Sequence, residues 1–400
     1  MTQPTYKTLR PGAPFSARAT PAATGPREPL IHERLIRVGP ARVHPLTLAV
    51  LGLGLLLLFA PAVLTPFRLN LVARYLAFAV LAVGLDVAWG FGGMLSLGHG
   101  LFFGLGAYAM GMHLKLVASG SSLPDFMNWS GVSTLPGWWR PFTNLPVAVF
   151  AAIGVPALAA TALGALVFRN RVRGAYFALL TQALVAIFAL LLVGQQGYTG
   201  GTNGLTNFTT LAGAPLDQAA THRWIYYTVT ATLVVALLLS HQLVRSRFGR
   251  LLVAVRDGEE RVRFLGYNPA TVKTAAFAFS AALAGLAGAL YAPSTGIVAP
   301  GMVGIVPSIE MVAWVALGGR GTLLGAAFGA VLASYAKTVF SETLPSAWLY
   351  LQGGLLVLVI VAAPRGLAGA VGLLSRFSRR ARGAREPATE PAAELARDVA

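Results

Sequence analysis

The feature that most constrains this chain is a succession of apolar runs, each about as long as a bilayer is thick. A spanning helix needs about 20 mostly apolar residues. Ten stretches qualify, roughly 45–65, 69–90, 95–117, 146–168, 173–194, 224–244, 272–293, 304–318, 322–340 and 347–364. Hydrocarbon offers no water to a free N–H or C=O, so a lone segment of this length must bond its backbone internally, as a helix does. Only 11% of the 400 residues are charged and 56% are hydrophobic, whereas a soluble domain carries about 25% charged residues. The expectation is an all-α, polytopic integral membrane protein with about ten transmembrane helices. The third run is Gly-rich and expected to bend or re-enter. The eighth is short and glycine-flanked, so whether these two fully cross stays open.

Lys and Arg orient the spans, because cytosolic loops retain positive charge. With the N-terminus inside and strict alternation, the inner segments are residues 1–44, the Trp89–Leu95 turn, Arg169–Arg173, the 245–273 loop, Gly318–Thr322 and the last tail. They hold 25 of the 31 basic residues. Arg68, Arg74, Lys115, Arg140, Arg223 and Lys337 fall on or near the outer side. Both termini are therefore expected in the cytosol, and the net charge of +17 reports orientation rather than nucleic-acid binding. Residues 1–44 read as a disordered cytosolic tail ending in a surface helix near Ile31–Val38, residues 45–364 as the membrane domain, and residues 365–400 as a basic cytosolic tail. No early apolar core marks a cleavable signal. With no cysteine, disulfides, thiolate metal sites and cysteine nucleophiles are excluded.

One charged island interrupts the apolar chain. In Arg245–Pro269, within the cytosolic loop 245–271, Arg250, Arg256, Asp257, Glu259, Glu260, Arg261 and Arg263 alternate in sign. Leu251, Leu252, Val255 and Val262 recur at roughly helical spacing. Gly249 and Gly266 bracket the run. This pattern predicts an amphipathic helix outside the bilayer, tied at both ends to spans and resting on lipid headgroups or on a soluble partner.

Inside the membrane, glycines crowd Trp89–Leu114: Gly90, Gly92, Gly93, Gly98, Gly100, Gly104, Gly106 and Gly111. They fit close helix packing, as do Gly100-x-x-x-Gly104 and Ala284-x-x-x-Gly288. They equally fit a broken helix whose freed amides and carbonyls line a pathway. Ionisable groups within spans are few: Asp86, His99, Glu310 and Lys337. Such groups mark function or an interior pairing. Asp86 sits near the inner end, Lys337 is placed to snorkel outward, and Glu310 has several conceivable partners. His99, flanked by Ser96 and Gly98, is the best pathway candidate, set against simple hydrogen-bonded packing. The outer loop 118–145 carries Trp129, Trp138, Trp139 and Phe142, either an interfacial belt or a docking platform. The second outer loop, with Thr202, Asn203 and Gly204, reads as a plain loop or a pore mouth. No H-E-x-x-H, G-x-S-x-G or G-x-x-x-x-G-K-[ST] signature appears, so any ATP would be held by another chain.

LSLGHGLFFGLGAYAMGMHL (95–114), GYTGGTNGLTNF (197–208) and GRLLVAVRDGEERVRFLGYNPATVKTAAFAFSAALAGLAGALYAP (249–293) resemble the branched-chain amino acid type of ABC importer permease over residues 45–365. Within that family, LGHGLFFGLGAYAMGMHL, LPDFMNW and PGWWRPF make the second permease subunit of the urea importers the nearest likeness. The resemblance implies a bacterial inner-membrane complex. A second permease subunit would complete the channel, two cytosolic ATP-binding subunits would drive it, and a periplasmic solute-binding protein would deliver the small-molecule substrate. It also implies that Gly249–Gly266 is the ATPase-coupling helix, carried by Gly249, Arg250, Ala254, Arg256, Asp257, Glu260 and Gly266. Arg261 and Val262 depart from the family's small residues after the Glu. Pathway candidates are Ser96, Gly98, His99, Gly100, Thr202, Asn203 and Gly204. Urea, small and neutral, suits a pathway with few intramembrane charges, which favours it over an amino acid. The alternatives are import of branched-chain amino acids or small amides, an ion-coupled secondary transporter using Asp86, His99 or Glu310, and an intramembrane enzyme built on Ser96 and His99.

Overall fold

The computed structural model describes residues 36–38, 41–43, 45–343, 350, 353–354 and 366–367. The expected tenth span at 347–364, the last tail and most of the first tail lie outside the described residues. The chain divides into residues 1–45 and 46–400. In the first unit, β1 (Ile36–Val38) and β2 (Ala41–Val43) pair antiparallel, with Arg37 opposite Arg42. Of the surface helix expected near Ile31–Val38, residues 31–35 lie outside the described residues and Ile36–Val38 is strand. The sequence sets Gly39-Pro40, a turn signal, between two triplets rich in β-branched residues, which favours strands.

The second unit is helical. In chain order it comprises α1 (Pro45–Leu58), α2 (Ala60–Val63), α3 (Pro66–Asp86), α4 (His99–Ser119), α5 (Asp125–Trp129), α6 (Leu145–Arg169), α7 (Ala175–Gly194) and α8 (Gln196–Thr199). A two-residue strand pair, β3 (Thr210–Leu211) and β4 (Ala214–Pro215), precedes α9 (Ala219–Arg245), α10 (Arg247–Phe264), α11 (Pro269–Thr295), α12 (Ile305–Gly318) and α13 (Leu323–Thr343). Nine helices among the described residues are long and apolar enough to cross a membrane. Inner and outer ends are named below by the Lys and Arg rule.

Two connections between spans are irregular, while the helix of the expected bent third span, α4, runs unbroken from His99 to Ser119. After α3 the chain makes one π-helical turn, Val87–Phe91, runs without helix through residues 92–98, and restarts at His99. After α11 it dips back from the outer end. Val298 pairs with Leu205 in an isolated bridge, and Val303 packs beside Gly100 and Gly104 before α12 begins. The 14 residues of α12 rise about 21 Å, short of a hydrocarbon core about 30 Å thick. The dipping segment makes up the difference.

The interior is organised around α11, which packs on α3, α4 and α6. Its crossing with α4 is set by glycine. A Cβ at Gly106 would lie 1.9 Å from Gly285 O, and one at Gly288 would lie 2.0 Å from Phe103 O. Lipid gives helices no hydrophobic reason to associate, so backbone proximity of this kind supplies dispersion contacts that bulkier residues would block.

Candidate functional site

At the inner end, α10 forms the charged platform. Ser246 caps it, its Oγ accepting from Gly249 N at 3.2 Å. Gly249 is required at the corner from α9, since a Cβ there would lie 2.0 Å from Val244 O. Leu252, Val255 and Val262 are buried, while Arg250, Ala254, Asp257 and Glu260 are exposed. Backbone angles at Gly258 leave the helical range, so α10 is two rods joined by a kink. Before the kink, Arg256 Nη1 donates to Gly90 O at 2.7 Å, reaching the broken segment after α3. After it, Glu259 receives Arg173 Nε at 3.2 Å, Arg263 Nη2 at 3.3 Å and the Lys273 ammonium. Glu260 receives Arg173 Nη2 at 2.9 Å and Arg263 Nη1 at 2.7 Å. The Arg173 hydrogen bond holds the Glu260 carboxyl below its usual range, and Glu260 in turn raises Arg173. Gly266, at φ +86°, turns the chain into α11, which Asn268 caps through Ala270 N at 3.0 Å.

These bonds tie α10 to three places: the α3–α4 break through Arg256, the α6–α7 loop through Arg173, and the first turns of α11 through Lys273. A polar cavity of about 290 Å³ lies between them. Two features escaped the sequence reading. Glu259, not Glu260, carries the buried tie, because the kink at Gly258 turns it inward. Phe264, Leu265 and Tyr267 form an exposed apolar tip at the end of α10, 90%, 75% and 55% exposed. Its only sequence signal was three large apolar residues next to charges.

The pathway candidates do not converge. Ser96 and His99 are fully buried. Leu97 N donates to Thr181 Oγ1 at 3.1 Å, Gly100 N donates to Ser308 Oγ at 3.2 Å, and His99 Nε2 shares a 2.7 Å hydrogen bond with Ser280 Oγ. The His99 ring meets Phe102 and Phe277 edge-on. A Cβ at Gly98 would lie 2.3 Å from Thr181 O. This group is packed among α4, α7, α11 and α12. Thr202 and Asn203 are exposed at the outer rim, and Gly204 abuts Val298 O in the Leu205–Val298 bridge. Asp86 is fully buried and accepts from Gly321 N at 2.7 Å, joining α3 to the inner α12–α13 turn.

Lys337 Nζ meets Glu310 Oε2 at 2.8 Å and Oε1 at 3.0 Å, so the two charges are paired. Both line a cavity of about 300 Å³ together with Arg74, Phe78, Tyr291 and Trp314. On the outer side, Lys115 binds Asp125 at 2.8 Å and Thr206 O at 3.0 Å, fastening both outer loops to α4. Burial acts to raise the Asp125 carboxyl, but the Lys115 ammonium and Phe126 N–H together hold it below the usual range.

Nine helices among the described residues, each long and apolar enough to cross a membrane, and a charged helix clamped to the α3–α4 break, the α6–α7 loop and the start of α11, define a polytopic transporter subunit. A family model described as branched-chain amino acid transport system / permease component matches residues 67–361. The chain belongs to that family, and is a multi-pass permease of the inner membrane rather than an enzyme. It is similar to the high-affinity branched-chain amino acid transport system permease protein LivM of Escherichia coli, at 29% identity over 79% of this chain and 74% of the relative. The LivM of Salmonella typhimurium matches equally, at 29% over the same shares. LivH of Escherichia coli is 25% identical over 73% of this chain and 91% of its own length. No solved structure matches.

Proposed function

We propose that this chain is one of two permease subunits of an ATP-driven importer of branched-chain amino acids. A second permease would complete the channel, two cytosolic ATP-binding subunits would seat on α10, and a periplasmic binding protein would deliver substrate. One observation carries the coupling role: α10 is tied by ion pairs and a backbone hydrogen bond to the α3–α4 break, the α6–α7 loop and α11. A push on this platform reaches the α3–α4 break, the α6–α7 loop and α11 together, which is what a rigid-body switch requires.

The substrate assignment moves away from urea. The relatives reported above are named for branched-chain amino acids. The charge argument for urea also weakens, because Arg74, Glu310 and Lys337 share one cavity and supply partners for a zwitterion. Cells lacking this chain should lose high-affinity uptake of labelled leucine and keep urea uptake. The opposite pattern would overturn the amino-acid assignment. Leucine uptake abolished by a protonophore at constant ATP would overturn ATP coupling.

A further inference from the structure

We propose that the cavity enclosed by α3, α11, α12 and α13 is the membrane binding site for the amino acid, with Arg74 taking the carboxylate and Glu310 the ammonium. This rests on the amino-acid reading above and adds the residues that would hold the ligand. The volume, about 300 Å³, lies at the small end of ligand pockets, about 300–1,000 Å³.

Arg74 lies eight residues into α3, about 12 Å along the helix. A guanidinium within a spanning helix is costly unless it faces protein partners or water. Arg74 Nε donates to Ser294 O at 2.9 Å, and no carboxylate pairs with it among the described residues. The opposite wall carries the Glu310–Lys337 pair, whose lysine side chain is 45% exposed. A zwitterion fits this set. Its carboxylate lies between two cations, Arg74 and Lys337, and its ammonium shares Glu310 with Lys337. Ser334 also lines the cavity, and its buried hydroxyl has no hydrogen-bond partner among the described residues.

The remaining wall is aromatic. Phe78 lies 4.7 Å from Trp314 and 5.0 Å from Tyr291 by ring centroids, and Phe103 lies 5.4 Å from Tyr291. A branched aliphatic side chain packs on such rings, whereas urea has nothing to offer them. The ligand class is therefore an α-amino acid with an apolar side chain.

The chain contains no cysteine, so a single introduced thiol reports on the cavity. Ser341 is exposed and lines its mouth. Ser341→Cys is placed in the complete importer in proteoliposomes and treated with a methanethiosulfonate reagent, with cysteine-containing partners controlled by the unsubstituted complex. Millimolar leucine should slow the modification several-fold, while leucinamide and urea should not. In the Arg74→Gln background the protection should vanish, and leucine uptake should fall about 10- to 100-fold, the loss of one charge-assisted hydrogen bond. Equal modification with and without leucine, in an importer that transports leucine, would overturn the site and leave the amino-acid reading standing. An importer that carries urea and not leucine would overturn both.

Discussion

Alanine at Gly106 should prevent recovery of a folded chain from membranes. The added Cβ would sit 1.9 Å from Gly285 O and 2.6 Å from Gly285 Cα, and both are backbone atoms with no rotamer to change. Relief would require α4 and α11 to part by about an ångström, but α11 has nowhere to go. On its other side a Cβ at Gly285 would meet Ala152 O of α6 at 2.1 Å, so the three backbones already touch in sequence. Overpacking a core costs about 1–3 kcal/mol where side chains can yield. Here backbone must yield, and the cost should exceed about 3 kcal/mol, a large part of a total stability of about 5–15 kcal/mol. Gly154→Ala on α6 is the control, because nothing lies within 4 Å of its Cβ position. Alanine there should be neutral or slightly stabilising, since it is the better helix former. The monodisperse fraction after detergent extraction, with its thermal midpoint, reads both. A Gly106→Ala chain that extracts and melts like the native one would show that α4 and α11 are not held as described.

The spans were legible because crossing length is a property of one stretch at a time. α6, α7, α9 and α11 begin and end within a few residues of the apolar runs that announced them. Glycine in Trp89–Leu114 announced an irregularity but not its form. That α4 starts at His99 depends on Thr181 and Ser308, which accept the amides of Leu97 and Gly100 from helices far along the chain. The same limit explains the charges. Counting Lys and Arg by loop placed Arg74 on the outer side and left Lys337 to snorkel, because a count carries no azimuth. Only packed helices show that Arg74, Glu310 and Lys337 face one cavity. In α10 the resemblance singled out Glu260, but the kink at Gly258 leaves Glu259 as the tie that is 11% exposed and Glu260 as the one that is 57% exposed. The choice of urea rested on the likeness of LGHGLFFGLGAYAMGMHL, LPDFMNW and PGWWRPF, and the scarcity of intramembrane charge that supported it overlooks Arg74, Glu310 and Lys337 lining one cavity.

Neutralising Glu259 should separate ATP hydrolysis from uptake. Its carboxylate is the one acceptor shared by Arg173, Arg263 and Lys273, and both it and Lys273 are nearly buried, at 11% and 12% side-chain exposure. In Glu259→Gln the lysine keeps its charge and loses its counter-charge, a defect that costs about 3–5 kcal/mol when a pair is fully buried. The second rod of α10 would then come loose from α11, while Arg256 would still hold the first rod at Gly90 O. The exposed face, with Asp257, Glu260 and the Phe264–Tyr267 tip, is untouched, so the ATPase subunits should still bind and hydrolyse ATP. Uptake should fall about tenfold or more, equivalent to about 1.4 kcal/mol of lost coupling. Asp257→Lys, which leaves Glu260 paired with Arg173, does the reverse. It alters the docking face and should cost co-purification of the ATPase subunits together with the hydrolysis they perform. Measuring hydrolysis, uptake and subunit stoichiometry on the same preparations separates the two defects. Native uptake by Glu259→Gln in a fully assembled complex would mean that force from the ATPases enters the membrane by some other route than the α10–α11 tie.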